Sequence, residues 1–187
     1  MAKSGDGLLQ ASESALLLVD IQEKFRPVVP GMDGVIRNSR TLAGAAARLR
    51  IPVLASEQYP KGLGPTVADL RDLLPGDQEY FPKLSFSAWG CESLRKALDT
   101  AGRRQVVMTG LETHVCVMQT GMELMAAGYA LFLVADAVAS RKDQDREAAL
   151  QRLQRQGAEL VTTEMVIFEW LRAAGTPEFK ELQALVK

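Results

Sequence analysis

Short apolar runs alternate along this chain with longer segments whose apolar residues recur at helical spacing. The run from Ala15 to Asp20 is apolar up to its terminal acid, and similar runs occupy residues 52–56, 105–110 and 130–135. Continuous apolar runs of this length are typical of strands buried on both faces. The pattern predicts strands over 15–20, 52–56, 79–82, 105–110, 130–135 and 159–162, and helices over 35–50, 66–73, 92–101, 115–127, 143–156, 164–173 and 177–186.

Strands that alternate with helices predict βαβ units and therefore a parallel sheet. Right-handed crossovers then give a doubly wound, three-layer α/β/α fold of Rossmann-like type with six mostly parallel strands. We expect a single domain over residues 14–187, preceded by a loose polar tail over residues 1–13. Ligands of such folds bind beyond the carboxyl ends of the strands. The residues that follow the predicted strands are Asp20, Glu57, Gln58, Lys83, residues 109–116 and Asp136.

Composition narrows the classes of function. The 187 residues carry a net charge of −1, which gives no electrostatic reason to expect nucleic acid or an anionic membrane as a partner. The first 14 residues have no apolar core typical of a signal peptide, and no apolar run has the length of a membrane span. A nucleotide-binding G-x-G-x-x-G motif and a phosphate loop are both absent, so we expect no cofactor.

Cysteine and histidine usage sets further limits. With only two cysteines, Cys91 and Cys116, the chain does not resemble a secreted disulfide scaffold, and we expect a reducing, cytoplasmic compartment. A single bridge between the two cysteines is the less favoured alternative. The only histidine, His114, excludes a metal site built from several histidines.

Cys116 has the position of a nucleophile. It follows a predicted strand in the segment Gly110-Leu-Glu-Thr-His-Val-Cys116, at the first turn of a predicted helix that Thr113 could cap. The free N–H groups and the dipole at a helix N-terminus favour a thiolate with a lowered pKa. They could also bind the oxyanion that forms when a thiolate attacks a carbonyl group. The structural alternative is a buried, inert cysteine.

Asp20 and Lys83 are its candidate partners. Asp20 stands at the end of an apolar strand, where burial would raise its pKa and suit it to shuttle a proton. Lys83 lies in the apolar segment Phe81-Pro-Lys-Leu-Ser-Phe86, and its ammonium group would keep Cys116 as a thiolate. Taken singly, Asp20 could instead be a cap and Lys83 a surface lysine.

These motifs together resemble the isochorismatase-like cysteine hydrolases. The family has an apolar strand that ends in Val-Asp-x-Gln, a lysine after the third strand and a Gly-x-x-Thr-x-x-Cys-Val turn. Here the motifs read Leu18-Val-Asp-Ile-Gln22, Pro82-Lys-Leu-Ser-Phe86 and Gly110-Leu-Glu-Thr-His-Val-Cys-Val117, and the resemblance extends over nearly the whole chain. The segment from Glu57 to Thr66 looks like the branch called isochorismatase domain-containing proteins.

The resemblance implies a triad of Asp20, Lys83 and Cys116 on a six-stranded parallel sheet. It also implies a cis peptide bond between Leu111 and Glu112, with the amides of Glu112 and Cys116 as the oxyanion hole. It implies a homo-oligomer, a dimer or a tetramer. The metal-binding nicotinamidases of this family carry histidines after the second strand, and residues 56–61 contain none, so we expect no metal.

Cys116 also distinguishes this chain from true isochorismatases, which lack the cysteine. We therefore expect a hydrolase that acts covalently on a small amide-like, carbamoyl or imine-like C–N bond other than a peptide bond. Two hypotheses of other classes stay open: a non-catalytic scaffold or binding protein, and a redox-sensing thiol protein in which Cys91 resolves Cys116.

Several further residues are candidates for a substrate pocket, for which ordinary loop packing is the alternative. His114 lies only two residues from Cys116, and residues two apart on a helix do not face each other, so a direct dyad is not expected. The candidate pocket residues are Gln22, Phe25, Gln58, Tyr59, Phe86, Trp89 and His114.

Overall fold

The computed structural model describes residues 7–186 of the chain. Its strands are β1 Ser14–Val19, β2 Val53–Gln58, β3 Tyr80–Lys83, β4 Gln105–Leu111, β5 Ala130–Ala139 and β6 Glu159–Val161. Its α-helices are α1 Met32–Leu49, α2 Pro60–Leu63, α3 Ala68–Arg71, α4 Glu92–Ala101, α5 Met118–Ala126, α6 Asp143–Arg155, α7 Thr163–Leu171 and α8 Pro177–Leu182. A π-helical turn, Thr113–Val117, joins β4 to α5.

The strands form one sheet in the order β3-β2-β1-β4-β5-β6, and each pairs with its neighbours in parallel. The predicted doubly wound α/β fold is therefore confirmed. The chain order reverses between β1 and β4, which are adjacent at the centre of the sheet. A crevice opens at such a point beyond the carboxyl ends of the strands.

Both faces of the sheet are buried, which explains why β1 is apolar at every position but its first. Leu16 and Leu18 point into one hydrophobic cluster with residues of α1 and α7. Ala15, Leu17 and Val19 point into a second cluster with residues of α4, α5 and α6. Successive side chains of a strand alternate between faces, so one strand contributes to both clusters and ties the three layers together.

Two parts of the chain differ from the sequence-based expectation. Strand β5 was expected to end at residue 135, but it bulges and pairs again with β4 as far as Ala139. Residues 1–6 of the expected loose tail lie outside the described residues. The tail prediction is wrong for residues near Leu9, which is fully buried and whose N–H donates to Glu169. Packing against α7 orders this segment, a long-range contact that local polarity does not reveal.

No helix within residues 7–186 combines the length and the apolar composition that a bilayer crossing requires.

At Gly110 the backbone of β4 leaves no room for a side chain against β1. This residue has a φ of 128°, and a Cβ atom placed there would lie 2.0 Å from the carbonyl oxygen of Val19. We therefore expect Gly110→Ala to lower the free energy of unfolding by about 3 kcal/mol or more, since both clash and backbone strain oppose it. Urea denaturation measures the loss. Gly76→Ala is the control, because its added Cβ meets no atom within 4 Å. Equal stabilities of the two variants would contradict the close approach.

Candidate active site

Asp20 lies at the centre of the site, immediately after β1. Its backbone has a φ of 51°, a left-handed conformation that turns the side chain back over the end of the sheet. The buried carboxylate accepts hydrogen bonds from Ser56 Oγ at Oδ1 and from Lys83 Nζ at Oδ2, both at 2.7 Å. Burial raises the pKa of Asp20, and the charge of Lys83 only partly offsets that effect. The predicted direction of this shift is therefore confirmed.

Lys83 ends β3 and its side chain is only 1% exposed. Besides Asp20, its ammonium group donates to Gln58 Oε1 at 2.7 Å and to the carbonyl oxygens of Ser85 and Phe86 at 3.2 and 2.8 Å. The buried charge is thus surrounded by acceptors, as a desolvated ammonium group requires. These bonds also fix the segment that follows β3 at the edge of the site.

Cys116 lies in the π-helical turn and is 4% exposed. Its thiol interacts with both Asp20 and Lys83, so the structure brings the three predicted residues together. Burial, followed by the negative charge of Asp20, raises the pKa of the thiol to about 12, and Lys83 opposes this only in part. The expected lowered pKa is thus wrong in direction. Burial and the neighbouring carboxylate both favour the protonated form of the thiol.

The peptide bond between Leu111 and Glu112 is cis, as the resemblance implied. The Glu112 carbonyl then accepts from the N–H groups of Val115 and Val117, which starts the wide turn that carries Cys116. Thr113 was expected to cap the helix. It lies within the turn instead, and its buried hydroxyl has no partner among the described residues.

Two of the predicted pocket residues use their amides inside the protein. Gln22 donates through Nε2 to the carbonyls of Gln58 and Gly64 and accepts from the Gln58 N–H. Gln58 accepts from Lys83 and donates to the Leu84 carbonyl. The polar atoms of both side chains are engaged in holding the loops around Lys83, so a positioning role suits them better than contact with a substrate.

The other predicted pocket residues have different surroundings. Tyr59 and Phe86 are 51% and 55% exposed. The Tyr59 N–H donates to the Lys83 carbonyl, and the Phe86 carbonyl accepts from Lys83 Nζ. Trp89 stacks edge-on against Tyr129, and Phe25 packs against the α1-side cluster. His114 hydrogen-bonds Ser140 Oγ through Nδ1 at 3.0 Å. Tyr59 and Phe86 remain the candidates for the mouth of a pocket.

Sequence reasoning missed Ser56 and Arg141. Ser56 is a polar residue inside an apolar strand next to β1, which could have marked it as a partner of Asp20. Arg141 lies just before the predicted helix over 143–156, where a charged side chain is usually solvated. It donates from N and Nε to Glu112 Oε1, a contact that no local pattern indicates.

The catalytic-site motifs and the fold agree with a known family, whose isochorismatase domain model matches residues 14–165. The chain belongs to the isochorismatase family. Isochorismatase domain-containing protein 2 of Danio rerio is 41% identical over 186 residues, which covers 98% of this chain and 91% of that protein. Isochorismatase domain-containing protein 1 of the same fish is 40% identical over 181 residues. That match covers 97% of this chain, which spans only 63% of the length of the relative.

Solved structures of the isochorismatase fold superpose closely on the chain. One, described as MAR1 ribonuclease from Caenorhabditis elegans, gives a TM-score of 0.91 at 37% identity and covers 96% of this chain and 92% of that chain. The YcaC protein of Escherichia coli, described as an octameric hydrolase of unknown specificity, gives 0.87 at 27% identity, with 95% and 90% covered. Both neighbours share the fold of this chain.

The described residues contain no group of three or more His, Cys, Asp or Glu side chains that could hold a metal ion. Cys91 and Cys116 are both free thiols, so the alternative of a bridge between them is not observed.

Removal of the Lys83 ammonium group tests the electrostatics of this site. Lys83→Met leaves a buried, unpaired Asp20, so the free energy of unfolding at neutral pH should fall by about 3–5 kcal/mol. The raised pKa of Asp20 in the folded state rises further without Lys83. Protonation of Asp20 then favours the folded state. The loss should therefore shrink as the pH falls through the folded pKa towards the ordinary value of 3.8.

Chemical denaturation at several pH values measures this effect. Lys96→Met is the matched control, because Lys96 pairs with Glu92 on the surface of α4, where both side chains are largely exposed. Its loss should stay below about 1 kcal/mol at every pH. A Lys83→Met loss that is equally small, or that does not change with pH, would contradict a buried ion pair at Asp20.

Proposed function

We propose that this chain is a cysteine hydrolase in which Asp20, Lys83 and Cys116 act as a catalytic triad on a small C–N compound. The observation that carries the proposal is the buried Asp20–Lys83 pair against the Cys116 thiol at the switch point of the sheet. A purely structural core gains nothing from a carboxylate, a cation and a thiol in one buried site, whereas catalysis can use all three.

The acylation step begins from the neutral thiol. As the sulfur of Cys116 attacks the carbon of the C–N group, its proton passes to the Asp20 carboxylate, whose raised pKa makes it a stronger base than a solvated aspartate. Lys83 holds that carboxylate in place through its 2.7 Å hydrogen bond. The oxygen of the substrate becomes an oxyanion, for which we propose the amides of Glu112 and Cys116 as donors.

Collapse of this intermediate breaks the C–N bond, and Asp20 returns the proton to the leaving nitrogen. A thioester remains on Cys116. Water then attacks the thioester carbon while Asp20 accepts its proton, and the second collapse expels the sulfur, which regains the proton from Asp20. For an amide the sum is one water consumed, with one carboxylic acid and one amine or ammonia released.

Burial of the nucleophile supports a small substrate. Cys116 is 4% exposed, and the residues left to line its approach, Tyr59 and Phe86, are aromatic. We propose amide-like, carbamoyl or imine-like compounds rather than peptides. The neighbour from Caenorhabditis elegans is described as a ribonuclease. For this chain, the net charge of −1 and the enclosed thiol favour a small molecule over a polyanion.

The two other hypotheses fit the site less well. A redox sensor needs an exposed thiolate of low pKa, whereas Cys116 is buried with its pKa raised to about 12. A binding protein has no need of an acid, a cation and a thiol in contact. We also propose a homo-oligomer, since the YcaC neighbour is described as octameric, and a cytoplasmic compartment, since both cysteines are free.

The kinetic test uses a panel of small amides, carbamoyl compounds and imines, with release of ammonia or amine as the measurement. Cys116→Ala should lower turnover of any substrate found by at least about 1000-fold, because it removes the group that forms the covalent bond. Cys91→Ala should keep turnover, since Cys91 lies outside the triad. Turnover that persists in Cys116→Ala would overturn the covalent mechanism.

A further inference from the structure

The segment after β5 reaches the nucleophile turn because β5 contains a long bulge. Leu133 pairs with Met108 of β4, but Val138 pairs with Gly110, so that one residue of β4 faces residues 134–137. Val138 and Ala139 then run beside Gly110 and Leu111, up to the cis peptide bond. The bulge thereby brings residues 140 and 141 alongside the turn that carries Cys116.

Hydrogen bonds from three helices hold this bulge in place. Arg146 of α6 donates to the carbonyl oxygens of Ala135 and Val138. Asn38 of α1 donates to the carbonyl of Asp136, and Thr163 of α7 donates to its carboxylate. The carbonyl groups of Ala135, Asp136 and Val138 thus accept hydrogen bonds, which hold the bulge and the segment that follows it in a defined position.

This segment contacts the nucleophile turn at two points. Ser140 Oγ lies 3.0 Å from His114 Nδ1. Arg141 donates to Glu112 Oε1 from its backbone N–H at 3.2 Å and from Nε at 2.9 Å. The Glu112 side chain is only 10% exposed, whereas that of Arg141 is 59% exposed. A largely buried carboxylate therefore has a cation supplied from the rim of the site.

A carboxylate in this place would oppose catalysis if it were unpaired. Glu112 lies four residues before Cys116, and its own carbonyl anchors the turn. The proposed reaction develops negative charge on the sulfur and on the substrate oxygen at this same turn. Like charges on one short turn of a poorly solvated site repel each other.

We propose that Arg141 is a positioning residue that acts through Glu112: it neutralises the Glu112 carboxylate so that negative charge can form at the Cys116 turn. The inference rests on the proposed function in one respect, namely that Cys116 is the group that becomes anionic. It adds to the triad a residue from the β5–α6 connection.

The test measures the rate at which iodoacetamide alkylates Cys116 in the folded, full-length chain at pH about 9, since only the thiolate reacts. Mass spectrometry of the Cys116 peptide gives the rate. Arg141→Ala should slow alkylation about tenfold, because Glu112 is left unpaired. Arg141→Lys, which keeps the charge, should stay within about threefold of the wild type. Arg155→Ala is the control, since Arg155 is exposed and donates to the Gln151 carbonyl of its own helix.

The double variant Glu112→Gln with Arg141→Ala separates charge from scaffolding. It removes the Arg141–Glu112 ion pair, as Arg141→Ala does, but it also removes the unpaired carboxylate. The alkylation rate should therefore return to within about threefold of the wild type. A double variant as slow as Arg141→Ala, or an Arg141→Ala variant as fast as the wild type, overturns the inference. A wild-type Cys116 that stays inert also overturns the inference, whereas only turnover that persists in Cys116→Ala overturns the proposed function, which distinguishes the two failures.

Discussion

The buried ion pair between Asp20 and Lys83 is the interaction on which the rest of the site depends. Two charges without access to water are stable only when nearby polar groups form hydrogen bonds with them. Ser56 donates to the carboxylate, while Gln58 and two carbonyl groups accept from the ammonium group. The hydrogen bonds of this one ion pair thus fix the conformations of the loops after β2 and β3. Gln22 extends this order by binding the backbone of Gln58 and Gly64.

The same pair governs the chemistry of Cys116. A cysteine nucleophile is commonly activated by a lowered pKa, but burial and the carboxylate act in the opposite direction here. Under the proposed function, activation comes from proton transfer during attack, with Asp20 as the base, rather than from a thiolate formed beforehand. An enzyme of this kind holds its sulfur unreactive until an electrophile enters the pocket. That arrangement protects a buried thiol from oxidation, because oxidants also require the thiolate.

Much of the fold and the triad could be predicted from the sequence because both rest on local patterns. Apolar runs indicated the strands, and the rule that sites gather at the carboxyl ends of parallel strands gave a larger candidate set. The chemistry of Asp20, Lys83 and Cys116 and the family resemblance singled these three out of that set. The thiol pKa was predicted in the wrong direction because burial depends on which layers cover a residue. The amides of Gln22 and Gln58 looked available for a substrate because their partners, backbone groups and the Lys83 ammonium group, come from distant parts of the chain. The buried position of Leu9 against α7 was missed for the same reason.

The bulge in β5 illustrates why the remaining part of the site lay beyond sequence reasoning. Residues 134–137 read Val-Ala-Asp-Ala, in which Asp136 suggests the end of the strand, and no glycine or proline marks a bulge after which the strand resumes. The extra length is instead stabilised by Arg146, Asn38 and Thr163, which belong to three separate helices. Only their joint arrangement places Arg141 against Glu112. A charged segment that resembles an ordinary helix start thereby becomes part of the surroundings of the nucleophile, because the fold carries it there.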